Sequence, residues 1–312
     1  MLTETTLPPL LNYDSPRELR AFLDQRGLGM RKKHGQNFLI NPAVRARLLD
    51  ALELRPGDNV WEIGPGLGAM TAGLLQRGAQ VTAFEIDPAF AGALRDFFNS
   101  QLFTLIEGDV MKTWPVISAA ASANADGQEL FLLGNLPYNI AAALLADFIE
   151  KGRFFSRLVV TVQREVAQRM AAKPGSADYS SFSVLCSSVY TVTPLAVIKP
   201  AAFYPPPRVD SQGLRLDLLP SAHRRLPRLF YPLVRGLFSA RRKTIKNTLS
   251  AFAASVIMRQ TPQQATTGGG AEAAVQALRR ANLAAERRPE TLCIDEFAAL
   301  AAFLEEIILD GR

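Results

Sequence analysis

The chain has 312 residues, of which 48% are hydrophobic and 21% charged, enough for two domains with a sizeable core and not the balance of a disordered chain. The formal net charge is +6 and the isoelectric point lies near 9.5, an excess of base that suits a polyanionic partner. Cys186 and Cys293 lie far apart and match no metal spacing, so no metal is implied and a reduced, cytoplasmic setting is expected. No apolar run approaches the ~20 residues that span a bilayer. Met1 to Thr6 lacks the basic and then apolar stretch of a signal peptide.

Ser15-Pro16-Arg17-Glu18 reads as a helix start, with a capping Ser and Pro at the first helical position, and the helix should end near Gly27. A basic loop, Arg31 to Asn37, follows. Pro42 to Leu54 predicts a helix with Val44, Leu48, Leu49 and Leu52 on one face. Strands and helices then alternate: strands at Asn59–Ile63, Gln80–Glu85, Leu102–Glu107, Leu130–Leu133 and Leu158–Val162, and helices at Ala69–Arg77, Pro88–Phe98, Asn139–Glu150 and Arg164–Ala172. Such alternation predicts an α/β fold, a parallel doubly wound sheet with right-handed crossovers. Ser118 to Gln128 is small and polar and reads as a surface loop. Phe182 to Tyr190 fits either strand or helix. Val192–Ile198 and Gly213–Leu219 look like strands closing one sheet edge, with an extended turn at Pro205-Pro206-Pro207 between them. From about residue 220 the pattern is helical, broken by a loose loop at Thr261 to Gly270. The domains expected are an N-terminal helical extension (1–30), a catalytic domain (31–219) and a helical C-terminal domain (220–312).

Glu62-Ile63-Gly64-Pro65-Gly66-Leu67-Gly68 follows a strand and opens a helix, where glycines form a tight turn and let a ligand approach the backbone. Glu85 ends the next strand, the place for a carboxylate that accepts hydrogen bonds from ribose hydroxyls. Gly64, Gly66 and Ala69 also satisfy a nicotinamide fingerprint. Glu62 argues against a dinucleotide, because a negative charge beside the turn repels pyrophosphate and suits a sulfonium or amino group. Asp109, at the end of the third strand, fits an acceptor for an adenine amino group. S-adenosylmethionine has the ribose, the adenine and the cationic end, and no phosphate. The blander alternatives are an ordinary strand-to-helix turn at Gly64 to Gly68, a helix cap at Asp109 and a solvated strand residue at Glu62. Asn135-Leu136-Pro137-Tyr138 would sit at the end of the Leu130 strand. The Asn135 oxygen and the Pro137 carbonyl are two acceptors beside a Tyr138 ring, which suits a planar base with an exocyclic amine. The alternative is a plain turn.

The ordered set of motifs resembles the ribosomal RNA adenine dimethyltransferase family from about residue 16 to the C-terminus. It comprises Gly35-Gln36-Asn37-Phe38-Leu39, the glycine turn after Glu62, Glu85-Ile86-Asp87, Gly108-Asp109-Val110, Asn135 to Ile140, Gln163 to Ala167, Pro205 to Ser211 and Arg241-Arg242-Lys243-Thr244. The resemblance implies a Rossmann-like methyltransferase sheet with a small all-helical C-terminal domain. It implies S-adenosylmethionine contacts at Asn37, Leu39 and Gly64, ribose at Glu85, adenine at Asp109, and Asn135 where the methyl group meets the target amine. It also implies two adjacent adenines near the 3′ end of small-subunit (16S) ribosomal RNA as substrate, within the precursor of the small subunit, for a protein expected to be a monomer. The family pattern has Ser-Thr or similar where this chain has Ala141-Ala142, and the Thr261 to Gly270 loop is longer than that pattern.

For RNA contact the sequence offers Arg224, Arg225, Arg228, Arg235, Arg241, Arg242, Lys243 and Lys246, in a tract with no Asp or Glu between Asp217 and Glu272. A solvated face usually interleaves acids with its bases, so a single sign points to phosphate contact. Arg31, Lys32 and Lys33 could extend the track. His34 and His223, the only histidines, receive no catalytic role. The rival readings are a large-subunit RNA methyltransferase of the macrolide-resistance type, a non-catalytic ribosome-assembly or transcription factor with this fold, and a nicotinamide dehydrogenase.

Overall fold

The computed structural model describes residues 11–29, 36–122, 129–136, 140–222, 226–240, 242–260 and 268–308. The chain divides into two compact units, Met1–Ala167 with Thr191–Leu218, and Gln168–Tyr190 with Leu219–Arg312.

The first unit opens with α1 (Pro16–Gln25), β1 (Phe38–Leu39) and α2 (Pro42–Asp50). Ser15 caps α1 by accepting the Glu18 N–H, and Asn41 caps α2 by accepting that of Val44, each followed by Pro at the first helical position. Then come β2 (Asn59–Ile63), α3 (Ala69–Gln76), β3 (Gln80–Glu85), α4 (Pro88–Phe97), β4 (Phe103–Glu107), α5 (Val110–Ser122), β5 (Leu130–Asn135), α6 (Ala141–Glu150), β6 (Arg157–Gln163) and α7 (Arg164–Ala171). After α8 (Ser181–Ser187) come three further strands, β7 (Tyr190–Ile198), β8 (Phe203–Tyr204) and β9 (Ser211–Leu218).

The main sheet has seven strands in the order β4-β3-β2-β5-β6-β9-β7. β2 to β6 run parallel, and β9 lies antiparallel to β6. The central strands β2, β5 and β6 are buried along almost their whole length, as expected where helices cover both faces. Strand order reverses between β2 and its neighbours β3 and β5, which opens a crevice at their carboxyl ends. β1 pairs with β8 in a separate two-stranded ribbon, Phe38 opposite Tyr204 and Leu39 opposite Phe203.

Away from that crevice, Arg157 at the start of β6 donates to Asp217 at 2.6 Å and to Glu53 at 2.7 Å. Arg215 donates to the same two carboxylates, so four alternating charges lock β6, β9 and the loop after α2 together. Burial alone would raise the Asp217 carboxyl, but hydrogen bonds from Arg215 and Arg157 outweigh it and hold the group below its usual range.

The second unit is helical: α8, then α9 (Phe230–Phe238), α10 (Ile245–Gln260), α11 (Gly269–Arg280) and α12 (Ile294–Ile308). Phe230, Leu233, Leu237, Leu249, Phe297 and Leu300 are fully buried in its core. α10 and α11 touch so closely that a Cβ on Gly270 would lie 2.6 Å from the Ala254 nitrogen.

Three expectations need correction. Ser118 to Ser122 is the last part of α5, not loop, since Ala119-Ala120-Ala121 are strong helix formers despite their size; 123–128 lie outside the described residues. Gln168–Tyr190 belongs to the helical unit rather than to the catalytic domain, because Tyr179 and Val184 are buried in that unit's core and the Tyr179 hydroxyl donates to the Leu292 carbonyl at 3.0 Å. The N-terminal helix is part of the first unit and not a separate extension, for Leu19 and Leu23 pack with Leu67, Phe90 and Ala93.

A carboxylate held low in the folded state stabilises the fold above its unfolded value of ~3.9 and loses that contribution as pH falls. Wild-type urea midpoints should therefore drop between about pH 5 and about pH 3, and drop less in Asp217→Asn, which at neutral pH should be the less stable protein.

Candidate functional site

A cleft lies at the carboxyl ends of β2, β3 and β5. Its floor is the glycine turn. Gly64, Gly66 and Gly68 adopt φ of +68°, +60° and +87°, a region costly for any side chain, and Gly68 in addition leaves a Cβ no room beside Phe98. The Gly64 N–H donates to the Phe84 carbonyl at 3.0 Å, so the turn grows directly out of the β2–β3 register.

Two carboxylates face this floor. Glu85 is 4% exposed; its oxygens accept the Gly66 N–H at 3.1 Å and the Asp87 N–H at 2.9 Å. Glu62 is 3% exposed and accepts the Thr71 hydroxyl at 2.6 Å. Burial pushes both up to about 7. For Glu62 the Thr71 hydrogen bond opposes the shift and the charge of Glu85 adds to it. For Glu85 the backbone donors oppose it and Asp87 adds to it. Glu62 is thus a buried wall of the cleft, not a solvated strand residue.

The second wall is Gln36 to Leu39, set in place by β1–β8 pairing and by the Ile40 N–H donating to the Ala202 carbonyl. Gln36 also reaches Asp87, the cap of α4, at 3.3 Å. Asn135 closes the far end as the last residue of β5. Its amide nitrogen donates to the Asn37 carbonyl at 2.9 Å, which leaves the side-chain oxygen as the acceptor. The Leu136 N–H continues the pairing to the Thr161 carbonyl, fixing the backbone that leads to residue 137.

The structure therefore brings Asn37, Leu39, Gly64, Glu85 and Asn135 around one cleft. Asp109 is not among the lining residues. Its Oδ1 accepts the Met111 N–H at 3.0 Å and caps α5. Pro137 and Tyr138, like Arg31, Lys32, Lys33 and His34, lie outside the described residues. Tyr13, Leu19 and Ile86 also line the cleft, and the sequence reading had singled out none of them. Ile86 carried a signal: it is a large apolar residue directly after a strand-end acid, and it is 47% exposed. No Lys or Arg lines the cleft among the described residues. Nor do three or more His, Cys, Asp or Glu come together among them in a group that could hold a metal.

In the helical unit, Arg228, Arg235, Arg242, Lys243 and Lys246 are all exposed, and Arg224, Arg225 and Arg241 lie outside the described residues. Three of the four acids of α12 are engaged elsewhere: Glu296 pairs with Arg287, Glu306 with Arg280, and Glu305 accepts the Leu229 N–H. A second cavity, between α9 and α10, has Ser239, Asn247 and Lys243 in its wall.

The seven-stranded sheet with its acidic strand-end cleft is that of a Rossmann-like methyltransferase. In fold the chain is similar to the dimethyladenosine transferase from Plasmodium falciparum (TM-score 0.70, 24% identity, 86% of this chain and 98% of that one). It is also similar to the 23S rRNA methyltransferase ErmE (TM-score 0.57, 21% identity, 86% and 99%). Residues 27–281 match ribosomal RNA adenine dimethylase, and the chain belongs to that family. Proteins called ribosomal RNA small subunit methyltransferase A from Treponema pallidum (strain Nichols) and Treponema denticola are 42% and 41% identical to it, over 95% and 94% of this chain and 99% and 95% of theirs. No helix among the described residues is long and apolar enough to cross a membrane.

An acid whose folded value lies above its unfolded one binds more protons in the folded state, so its burial costs stability as pH rises from about 4.5 through about 7. Glu62→Gln should therefore raise the thermal midpoint of the protein alone by a few degrees at about pH 8 and flatten its pH dependence, as read by calorimetry.

Proposed function

We propose that this protein transfers methyl groups from S-adenosylmethionine to the exocyclic N6 of two adjacent adenines near the 3′ end of 16S ribosomal RNA, in the precursor of the small subunit, acting as a cytoplasmic monomer without a metal. The observation that carries this reading is the cleft, with buried Glu62 and Glu85 on its floor, Asn135 at one end and no cation among its described lining residues. A pyrophosphate would meet two acids and no base there, whereas a sulfonium, an amino group and ribose hydroxyls meet acceptors. The names of the relatives support the RNA class and the subunit. The large-subunit alternative has only likeness of fold behind it.

S-adenosylmethionine, when bound, supplies an electrophilic methyl group on a sulfonium. Glu85, already oriented by two backbone donors, accepts from the ribose hydroxyls with its remaining lone pairs. Glu62 balances the cationic end. Ile86 offers an exposed apolar face to a flat ring, and Asp109, as its family motif implies, accepts from the adenine amine. Asn37 and Leu39 contribute backbone groups from the second wall.

The chemistry falls to Asn135. An adenine amine is a poor nucleophile because its lone pair is delocalised into the ring. Accepting an amine N–H at Asn135 Oδ1, with the Pro137 carbonyl as second acceptor and Tyr138 stacked on the extruded base, favours a tetrahedral nitrogen aimed at the methyl. Positioning and fixed dipoles then supply most of the rate, and the proton leaves after transfer. The Asn37 carbonyl holds the Asn135 amide in the one orientation that presents oxygen.

RNA affinity is assigned to Arg224, Arg225, Arg228, Arg235, Arg241, Arg242, Lys243 and Lys246. Support comes from the exposure of the described members and from the absence, among the described residues, of an ion-pair partner for Arg228, Arg242, Lys243 or Lys246.

Asn135→Ala should lower methyl transfer on the order of 100-fold or more while changing S-adenosylmethionine affinity, by titration calorimetry, less than about tenfold. An active Asn135→Ala enzyme would sink the assignment. Reversing Arg241 and Arg242 to Glu should weaken RNA binding and lower the slope of log K against log salt by about 1 to 2. An unchanged slope would count against the tract.

A further inference from the structure

The reading of the cleft as a methyl-donor site leaves the segment before α1 without a role, yet Tyr13 reaches into that cleft. Its hydroxyl donates to the Leu67 carbonyl at 2.8 Å, inside the glycine turn. Burial, and then the charge of Glu62, raise its phenol well above the ordinary range, so it stays a donor at any working pH. The neighbouring Asp14 pairs with Arg45, and a second guanidinium nitrogen of Arg45 donates to the Leu39 carbonyl at 2.8 Å. The Arg45 side chain is only 12% exposed. Leu67 is gripped from the other side too, since its side chain packs against Leu19 and Leu23 of α1.

Two adjacent residues therefore tie the floor of the cleft to its second wall, Tyr13 to the glycine turn and Asp14, through Arg45, to the Leu39 strand. We propose that Tyr13 is a positioning residue for methyl-donor binding, and that the segment from Leu11 to Gln25 is a working wall of the donor site rather than an appendage. Leu67 lies between Gly66 and Gly68, both at positive φ; the Gly68 N–H of its peptide donates to the Pro65 carbonyl at 2.9 Å, so it is the carbonyl side that keeps freedom to tilt. A hydrogen bond from a buried phenol removes that freedom before the ligand arrives, and ordering done in advance is not charged to binding.

The proposal rests on the donor reading, and the test separates the two. The full-length protein, with Tyr13→Phe and Tyr13→Ala, is measured for S-adenosylmethionine affinity by calorimetry and for methyl transfer to under-methylated small subunits, with each substrate varied in turn. Phe keeps the ring and loses only the hydroxyl. One net hydrogen bond corresponds to roughly a three- to tenfold rise in Kd and KM for S-adenosylmethionine, and KM for RNA should not move. Amides of the glycine turn in the protein alone should exchange faster in Tyr13→Phe. Tyr13→Ala should show the larger effect on the donor side. A donor Kd and turn exchange equal to wild type in Tyr13→Phe would overturn the proposal while leaving the donor reading standing. A rise shared equally by both substrates would assign Tyr13 a general structural role and overturn it as well. A wild-type protein that bound no S-adenosylmethionine would take down the donor reading, and this proposal with it.

Discussion

The hydrogen bond from the Gly66 N–H to Glu85 is the contact on which the rest of the catalytic unit depends. It joins the end of β3 to the turn that leaves β2, and it exists only because those strands pair in parallel register, Ile63 beside Phe84. The register sets Gly64 next to Glu85, and the glycines, at φ values other residues resist, bend the chain back over that carboxylate. Burying Glu85 and Glu62 together is unfavourable, as the upward drift of both acids shows. The fold tolerates the cost because Thr71, Gly66 and Asp87 supply donors, and because a cationic, hydroxyl-bearing ligand is what two such acids attract. The acceptors of the cleft are in place before anything enters it.

The two units divide the electrostatic work. The sheet unit concentrates acidic side chains in one cleft, while the helical unit carries exposed bases on and around α9 and α10 and engages Glu306, Glu296 and Glu305 with Arg280, Arg287 and the Leu229 amide. An acid-lined cleft on one unit and exposed bases on the other suit the two substrates of an RNA methyltransferase. Each unit has its own apolar core, so neither charge pattern has to be balanced within it.

Much of this was legible in the chain. The strand cores, the capped helix start at Ser15, the helix starts at Pro42 and Pro88, and the order of motifs at strand ends are legible in local pattern, because each depends on residues within one turn or one strand. The failures share a cause. Ser118 to Ser122 was misjudged where small side chains hid a helix-forming run, and Gln168 to Tyr190 was placed in the wrong unit because its partners, such as Leu292, lie over a hundred residues away. Asp109 illustrates the limit at a single residue: one carboxylate at one strand end fits both a ligand acceptor and a helix cap, and the fold shows one of its oxygens, Oδ1, capping α5.

The sequence by itself determined the class of fold, the positions of the strand-end acids, the Asn135 segment and the single-signed basic tract, since hydrophobic period, glycine placement and charge sign are local properties. Only the tertiary structure decided that Glu62 and Glu85 are buried together, that Asn135 presents its oxygen because the Asn37 carbonyl takes its amide, and that Tyr13 and Leu19 belong to the site. Those facts depend on contacts between segments distant in the chain, formed when strand register and helix packing bring them together, and no local pattern encodes the distance between them.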